Sequence, residues 1–317
     1  MTLYFVILFI LGTVFGSFST VLIERWKNGK SGIIMGRSEC PKCNHTLSAW
    51  ELIPLFSYIF QHGKCHNCHS KISPFYPIAE ISIGIIFVIM GYAGMNLELE
   101  PLSVEMLIFL ILGFITGIYI LYDARYMEIP DQIMIPGIVG YILLIILGYF
   151  SPEMRTLIFD SNTYTDYSTL IFDHIRAAVI IYSFFYLQIL IPGGFYLLRK
   201  KKSREFVELL VSYFLFPLSL IFGRIGKNET KESNEIDIPT WVGGGDLRIA
   251  LFIGLTLGSI HTVSTLLFAY ILGSLIGVIL IVKRGRKNSQ IAFGPFLGMG
   301  WFLSIVFYSD ILNIFNI

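Results

Sequence analysis

Charge is what this sequence has least of. Asp, Glu, Lys and Arg make up 14% of its 317 residues against 55% hydrophobic, where soluble domains carry roughly 25% charged residues. That shortage excludes an ordinary soluble enzyme. Cysteine is scarce too, four in all, so a disulfide-dense secreted scaffold is excluded. Neither HExxH nor GxSxG occurs, and no Gly-Lys-Ser/Thr follows the glycine run at Gly243–Gly245. Zincin, serine-hydrolase and nucleotide-hydrolase chemistry therefore lack their signatures. No stretch interleaves basic and aromatic residues on a plausible binding face, so no nucleic-acid partner is expected.

What is present is a series of apolar runs, several of them near the roughly 20 residues that cross a bilayer. The first, about Leu3 to Ile23, lacks a basic leader region and a small-x-small cleavage site, and so reads as a retained span. Its Gly12, Gly16 and Ser17 suit close helix packing. The polar segment 24–76 carries Arg25, Lys27, Lys30, Arg37, Lys42, Lys64 and Lys71 against three Glu. That bias places it in the cytoplasm and the N-terminus outside. Further spans are expected near 77–95, 105–122, 132–149 and 177–197, with Ser151–Arg176 as an outer loop. Arg199-Lys-Lys-Lys202-Ser-Arg204 marks the cytoplasmic side again. The run Phe206–Phe222, interrupted by Pro217, reads as re-entrant or interfacial, and Arg224–Thr240 as a cytoplasmic loop. Leu247–Val282 has the length of a two-helix hairpin, and a last span runs from about Phe296 to Ile314. The expectation is an all-α polytopic membrane protein of about eight transmembrane helices in the cytoplasmic membrane. Its parts are a first span (1–23), a small cytoplasmic module (24–76) and a membrane core (77–317) with an insertion around 199–240. No internal repeat is evident.

Two constellations carry chemistry. Cys40-Pro-Lys-Cys43 and Cys65-His-Asn-Cys68 match the spacing of a zinc ribbon, in which two CxxC turns converge four thiolates on one ion. Two disulfides are the alternative, disfavoured on a reducing cytoplasmic side. Such a site is structural, since four sulfurs leave no position for water. His45, His62, His66 and His69 crowd the same segment and read as solvated side chains around a metal-stapled fold. The second constellation is acidic. Asp246 follows Gly243-Gly244-Gly245 at the mouth of an apolar run, where glycines open positive φ and permit a sharp bend. Asp123 ends the third span on the same expected side. An ionisable group at the edge of an apolar run is a functional candidate that needs a partner. Two neighbouring carboxylates share a proton, supplying a base for water and an acid for a leaving amine. Asp131, after Pro130, reads as a helix N-cap. Glu80 lies within the second span with its role open.

On these residues the chain resembles the bacterial type IV prepilin peptidases, which are leader peptidases and N-methyltransferases. Gly16-Ser17-Phe18 with Arg25 resembles the family's first-span motif. The stretch from Cys40 through Ile53-Pro54-Leu55, Gly63-Lys64-Cys65 and Tyr76-Pro77-Ile78-Ala79-Glu80 resembles its cytoplasmic domain. Asp123 through Ile129-Pro130-Asp131 resembles the first catalytic motif, Gly243-Gly244-Gly245-Asp246 fits the GxGD signature, and Phe293-Gly294-Pro295 matches the lead-in to the last span. The resemblance implies an aspartyl protease using Asp123 and Asp246. It would cut the short basic leader of a prepilin or pseudopilin at the cytoplasmic face. It also implies methylation of the new N-terminus from S-adenosylmethionine. Three positions depart from the family: the interval between the two Asp is longer, Thr20 stands in place of Asn, and Arg248 lies near the place of a Lys. A transporter using the same acids for proton relay is the alternative. It is disfavoured because the acids sit at the membrane edge and inverted repeats are absent. A non-catalytic zinc scaffold would leave the Gly-Gly-Gly-Asp run without a purpose.

Overall fold

The structure, a computed structural model, describes residues 1–29, 36–150, 166–214, 243–284 and 291–314. The elements in order are α1 (Thr2–Lys27), a short 3-10 turn (Ala49–Leu52), α2 (Phe56–Phe60), α3 (Phe75–Asn96), α4 (Val104–Tyr126), α5 (Asp131–Phe150), α6 (Tyr167–Arg199), α7 (Ser203–Phe214), α8 (Asp246–Arg284), α9 (Gly294–Val306) and α10 (Tyr308–Ile314). Six helices, α1, α3, α4, α5, α6 and α8, are long and apolar enough to cross a membrane. A seventh results if α9 and α10, bent by 79° at Phe307, count as one span. The chain is an all-α, multi-pass membrane protein.

Two compact units share the chain. The first comprises 1–133 and 268–316, the second 134–267. In the first, α1 lies against α3, and the small residues of α1 explain how. A Cβ on Gly12 would sit 2.8 Å from Gly84 Cα, and one on Gly16 would sit 2.6 Å from Glu80 Cα. Backbones meet there without side chains between them, which is how small residues let membrane helices approach. Gly16→Val is therefore expected to destabilise the first unit by about 1–3 kcal/mol, the usual range for overpacking. Thermal unfolding in detergent checks this, and an unchanged midpoint would refute the close crossing.

The same unit is tied at one end by charge. Glu24 of α1 pairs with Arg125 of α4 at 2.5 Å, and Lys27 pairs with Glu128 at 2.8 Å. The Arg125 guanidinium also lies 4.1 Å over the Phe75 ring at the start of α3. The ends of α1 and α4 and the beginning of α3 are thus gathered around one Arg, whose planar, weakly hydrated head suits both an ion pair and a ring face.

In the second unit the helix after the 151–165 segment begins earlier than the hydropathy suggests. Asp166 caps it by accepting the Thr169 N–H (2.9 Å), so α6 runs 33 residues from Tyr167 instead of starting near Ala177. A capping carboxylate satisfies an orphan donor and lets a polar first turn stay helical. The run 247–282, expected as a two-helix hairpin, lies instead in one long element, α8, counted as a single candidate span and kinked at Gly258, whose φ of 69° and ψ of −176° are non-helical. The segments on either side, 246–257 and 259–284, rise about 18 and 39 Å. Asp173 of α6 accepts the Ser259 N–H at 2.8 Å and so starts the second of them as a fresh helix. Close packing recurs here, since a Cβ on Gly254 would lie 2.4 Å from Ala178 Cα.

The last span also differs from expectation. It is not continuous over 296–314 but breaks at Phe307, whose N–H still bonds the Leu303 carbonyl (3.0 Å) as the helix ends. Of the run 206–222, the part to Phe214 is helix α7, where Tyr186 donates to the Leu210 carbonyl at 3.1 Å. The remainder, with Pro217, lies outside the described residues, as do Arg224–Thr240 and most of the 151–176 loop.

Candidate functional site

The four cysteines converge. All four Sγ atoms lie within 4.8 Å of one another, with Cys40 and Cys68 Sγ 3.9 Å apart. That is close to the edge of a tetrahedron around an ion bound at about 2.3 Å to each sulfur, and far from the roughly 2 Å of a disulfide. The donor set fits a closed tetrahedral ion such as zinc, and none of the four histidines belongs to the cluster.

The local structure shows how the sequence builds it. Cys40 N–H donates to His45 O and Asn44 N–H to Cys40 O, each 2.9 Å. Cys65 N–H donates to Ser70 O and His69 N–H to Cys65 O, each again 2.9 Å. Asn44 and His69 take matching positive φ of 54° and 55°, and isolated bridges Glu39–Thr46 and Lys64–Lys71 close the two turns. The turns are thus two copies of one device. Residues 39–50 and 64–75 show it in sequence as a short repeat, Cys-x-x-Cys followed by a hydrophobic residue, Ser and an aromatic. A repeat this brief escapes a search for longer periods, so the expectation of no internal repeat is corrected here. Sulfur also receives support from outside the ligand set. Asn67 Nδ2 donates to Cys43 Sγ at 3.7 Å. The Ser70 hydroxyl lies 3.0 Å from Cys68 Sγ, and that hydrogen bond pulls the thiol down to about 6.

Glu80 couples this module to the membrane helices. It is 7% exposed, and its Oε2 accepts the Leu55 N–H at 2.7 Å. Leu55 has φ 63° and ψ −50°, and Phe56 N–H donates to Pro54 O at 2.7 Å. This is a γ-turn of the rare positive-φ kind. The Ile53-Pro54-Leu55 stretch is therefore held in a strained turn by a buried carboxylate of α3. Such strain persists only where the surroundings over-determine it. Glu80→Ala leaves the Leu55 N–H without its acceptor, a loss of about 1–3 kcal/mol. It is expected to speed proteolytic nicking at 53–57, whereas Glu80→Gln, which keeps an acceptor, stays near wild type. Equal nicking of all three proteins would refute the tether.

Asp123 lies in the last turn of α4, in the first unit, and is 5% exposed. Its carbonyl accepts the N–H of Met127, which ends the helix in a left-handed conformation at φ 53°. Its side chain meets the start of α9. Phe296 and Leu297 N–H donate to the Phe293 carbonyl (3.0 and 3.2 Å), and Pro295 has no N–H. The Gly294 N–H, an orphan donor at a helix start, donates to Asp123 Oδ2 at 3.0 Å. The Phe293-Gly294-Pro295 motif thus holds one oxygen of this carboxylate.

Asp246 opens α8 in the second unit and is 7% exposed. Its own N–H donates to Gly243 O (3.1 Å), and the Gly243 N–H returns to Asp246 Oδ2 (3.2 Å). The glycine run does not use the freedom expected of it. Among the described residues the positive-φ glycines are Gly29, Gly63 and Gly258, not Gly243–Gly245. This turn closes through reciprocal hydrogen bonds between Gly243 and Asp246 instead. Trp241 and Val242 lie outside the described residues. Asp131 is the first residue of α5, after Pro130.

Comparison with known proteins follows the same motifs. Residues 10–93 match the family model described as the bacterial peptidase A24 N-terminal domain, a range that holds Gly16, all four cysteines and Glu80. A prepilin leader peptidase/N-methyltransferase of Bacillus subtilis (strain 168) is 26% identical over 311 residues, covering 98% of this chain and 96% of that one. The resemblance to prepilin leader peptidases spans nearly the whole chain. A relative of that name in Myxococcus xanthus is 34% identical over 45% of this chain and 40% of its own length. One in Pseudomonas aeruginosa is 22% identical, covering 92% of this chain and 87% of its own. No solved structure matches.

Sequence reasoning named the acids and the thiols but missed the Gly294 N–H that bonds Asp123, the Leu55 N–H that bonds Glu80, and Arg125, which ties the helix ends beside Asp123. The Phe-Gly-Pro lead-in carried a signal for the first. A Pro at the second helical position leaves the N–H before it available to a partner.

Proposed function

We propose that this protein is a membrane aspartic endopeptidase that removes the leader of a prepilin or pseudopilin, with Asp123 and Asp246 acting as one pair at the cytoplasmic face. The observation that carries the reading is the matched state of the two acids. Each ends or begins an apolar helix, each is buried, and each has its Oδ2 accepting a glycine N–H. The orientation rests on the Lys and Arg bias of 24–76 and of 199–204.

The chemistry follows from two carboxylates sharing one proton. The ionised member takes a proton from water as its oxygen attacks the scissile carbonyl, while the protonated member donates to the carbonyl oxygen. The tetrahedral species collapses when the leaving amine takes a proton back from the pair. The pair titrates as a unit, so neither macroscopic value belongs to one residue alone.

The module at 24–76 is read as a structural zinc domain, with Cys40, Cys43, Cys65 and Cys68 as ligands and a closed shell that performs no chemistry itself. The relatives' name supports a second activity, N-methylation of the new N-terminus. S-adenosylmethionine would supply the methyl group, and this chain's part is to hold the donor and present the amine in its neutral form. The chain divides functionally into the first span (1–23), this module, and the protease core from 77 onward with its insertion around 199–240. The lipid bilayer surrounds the core and delivers the substrate's hydrophobic helix.

The test is incubation of membranes holding the wild-type protein with a type IV prepilin, reading the product by mass. Loss of the leader is the expected result, with an added methyl mass where methyl transfer occurs. A substrate left intact across a panel of prepilins would overturn the protease reading.

A further inference from the structure

We propose that the apolar face of α2, with Trp50 and Leu52 beside it, is a membrane-interface anchor that seats the four-cysteine module in the lipid leaflet it adjoins.

The apolar side chains of this module are on its outside. Between Gly36 and Pro74 the buried hydrophobic residues are Cys40 and Cys65, whereas Trp50, Leu52, Phe56, Ile59 and Phe60 are exposed, Trp50 by 80% and Phe60 by 75%. Phe56, Ile59 and Phe60 stand three and four residues apart, so α2 presents them on one face. The Phe56 and Phe60 rings stack with centroids 6.3 Å apart, and with Trp50 and Ile53 they line one open groove of about 570 Å³. A contiguous apolar patch of this kind marks contact with another protein or with a membrane.

Depth decides between the two. Glu80 accepts the Leu55 N–H at 2.7 Å, so the residue before α2 lies at the level of Glu80 in the span α3. Gly16 of α1 shares that level, since a Cβ on it would meet Glu80 Cα at 2.6 Å. Glu24, which pairs with Arg125, comes eight residues after Gly16, a rise of about 12 Å. A glutamate side chain and one hydrogen bond together are shorter than that rise. The Leu55 turn therefore lies on the bilayer side of the ion pairs that end α1 and α4, and α2 starts there. Glu80 in turn has a reason to sit within a span. A backbone N–H at membrane depth finds no water and must be paired by the protein, and Glu80 pairs the one at which the chain turns into α2.

Charge agrees with a lipid partner. No Asp or Glu occurs between Glu51 and Glu80, while Lys64 and Lys71, opposite each other across their bridge, are exposed. Lys beside a membrane is drawn to anionic headgroups, and Trp favours the boundary between headgroups and chains. The four sulfurs hold the module together from within, which frees its aromatic residues to face lipid.

The test uses the full-length protein with its metal in nanodiscs of phosphatidylcholine and phosphatidylglycerol, where buffer reaches both faces. Fluorescence of the wild type minus that of Trp50→Phe isolates Trp50 from Trp26, Trp241 and Trp301. Lipid chains brominated near the headgroup end are expected to quench this difference signal by at least about half, as for an interfacial side chain, and aqueous acrylamide to quench it weakly. Phe56→Ser combined with Phe60→Ser is expected to cut the lipid quenching about twofold and to admit acrylamide. Zinc content at the wild-type level shows that the module of each variant is folded. Quenching by acrylamide without quenching by lipid would overturn the anchor. Shielding from both quenchers would place a protein surface there instead, and lipid quenching unchanged in the double variant would remove α2 from the anchor.

Discussion

Asp123→Asn and Asp246→Asn are each expected to reduce leader cleavage by at least about a thousandfold, within the range for loss of general acid–base catalysis, while the protein still inserts and folds. The substitution is nearly isosteric, and an amide oxygen can still accept the bond that each carboxylate now receives. For Asp123 that is the Gly294 N–H at 3.0 Å, and for Asp246 the Gly243 N–H at 3.2 Å. The start of α9 and the turn before α8 therefore keep their anchors. What disappears is the carboxyl group's ability to gain and lose a proton near neutral pH, so a loss of activity in either variant reports on chemistry rather than on packing. Cleavage assays in membranes, paired with a thermal-unfolding midpoint for each variant, separate the two. Substantial cleavage by either variant would remove the paired-acid mechanism.

Removing the metal is expected to have the largest effect on stability. Between Gly36 and Pro74 the only buried hydrophobic side chains are Cys40 and Cys65, so this module has no apolar core of its own. Its turns converge on the four sulfurs instead. Small domains without a core need such a staple, and structural zinc binding is worth about 10–16 kcal/mol at neutral pH. Cys40→Ser or Cys65→Ser is expected to drop zinc from one per chain to near none and to open 36–74 to protease within minutes. The membrane helices stay folded, because α1, α3, α4 and α9 pack on one another rather than on the module. Purified wild-type protein containing no metal, with four freely titrating thiols, would sink the zinc reading. Persistence of the CxxC turns in a metal-free variant would show that hydrogen bonds alone hold them.

Both results bear on how the parts communicate. Glu80 reaches from α3 to the strained turn at Leu55, and Arg125, two residues beyond Asp123, gathers the ends of α1 and α4 and the start of α3. The module and the first acid are thus fixed to the same helical framework.

The sequence by itself determined the membrane class, the four-cysteine cluster and the identity of both candidate acids. Each is a local property. Hydropathy sums over neighbouring side chains, CxxC presents two thiols from one turn, and an acid at the edge of an apolar run is conspicuous wherever the chain goes. Only the tertiary structure decided the partners. The Gly294 N–H that holds Asp123 is 171 residues away in sequence, and Asp173, which caps the helix restarted at Ser259, is 86 residues away. Glu80 finds its donor at Leu55 across 25 residues. Hydrogen-bond partners at such separations are selected by which helix ends the packing brings together, and no periodicity along the chain encodes that. The glycines show the same limit from the other side. Sequence marks Gly243–Gly245 as free to adopt positive φ, but the bonds exchanged between Gly243 and Asp246 close that turn without it. The positive φ falls at Gly258, where a long helix has to break.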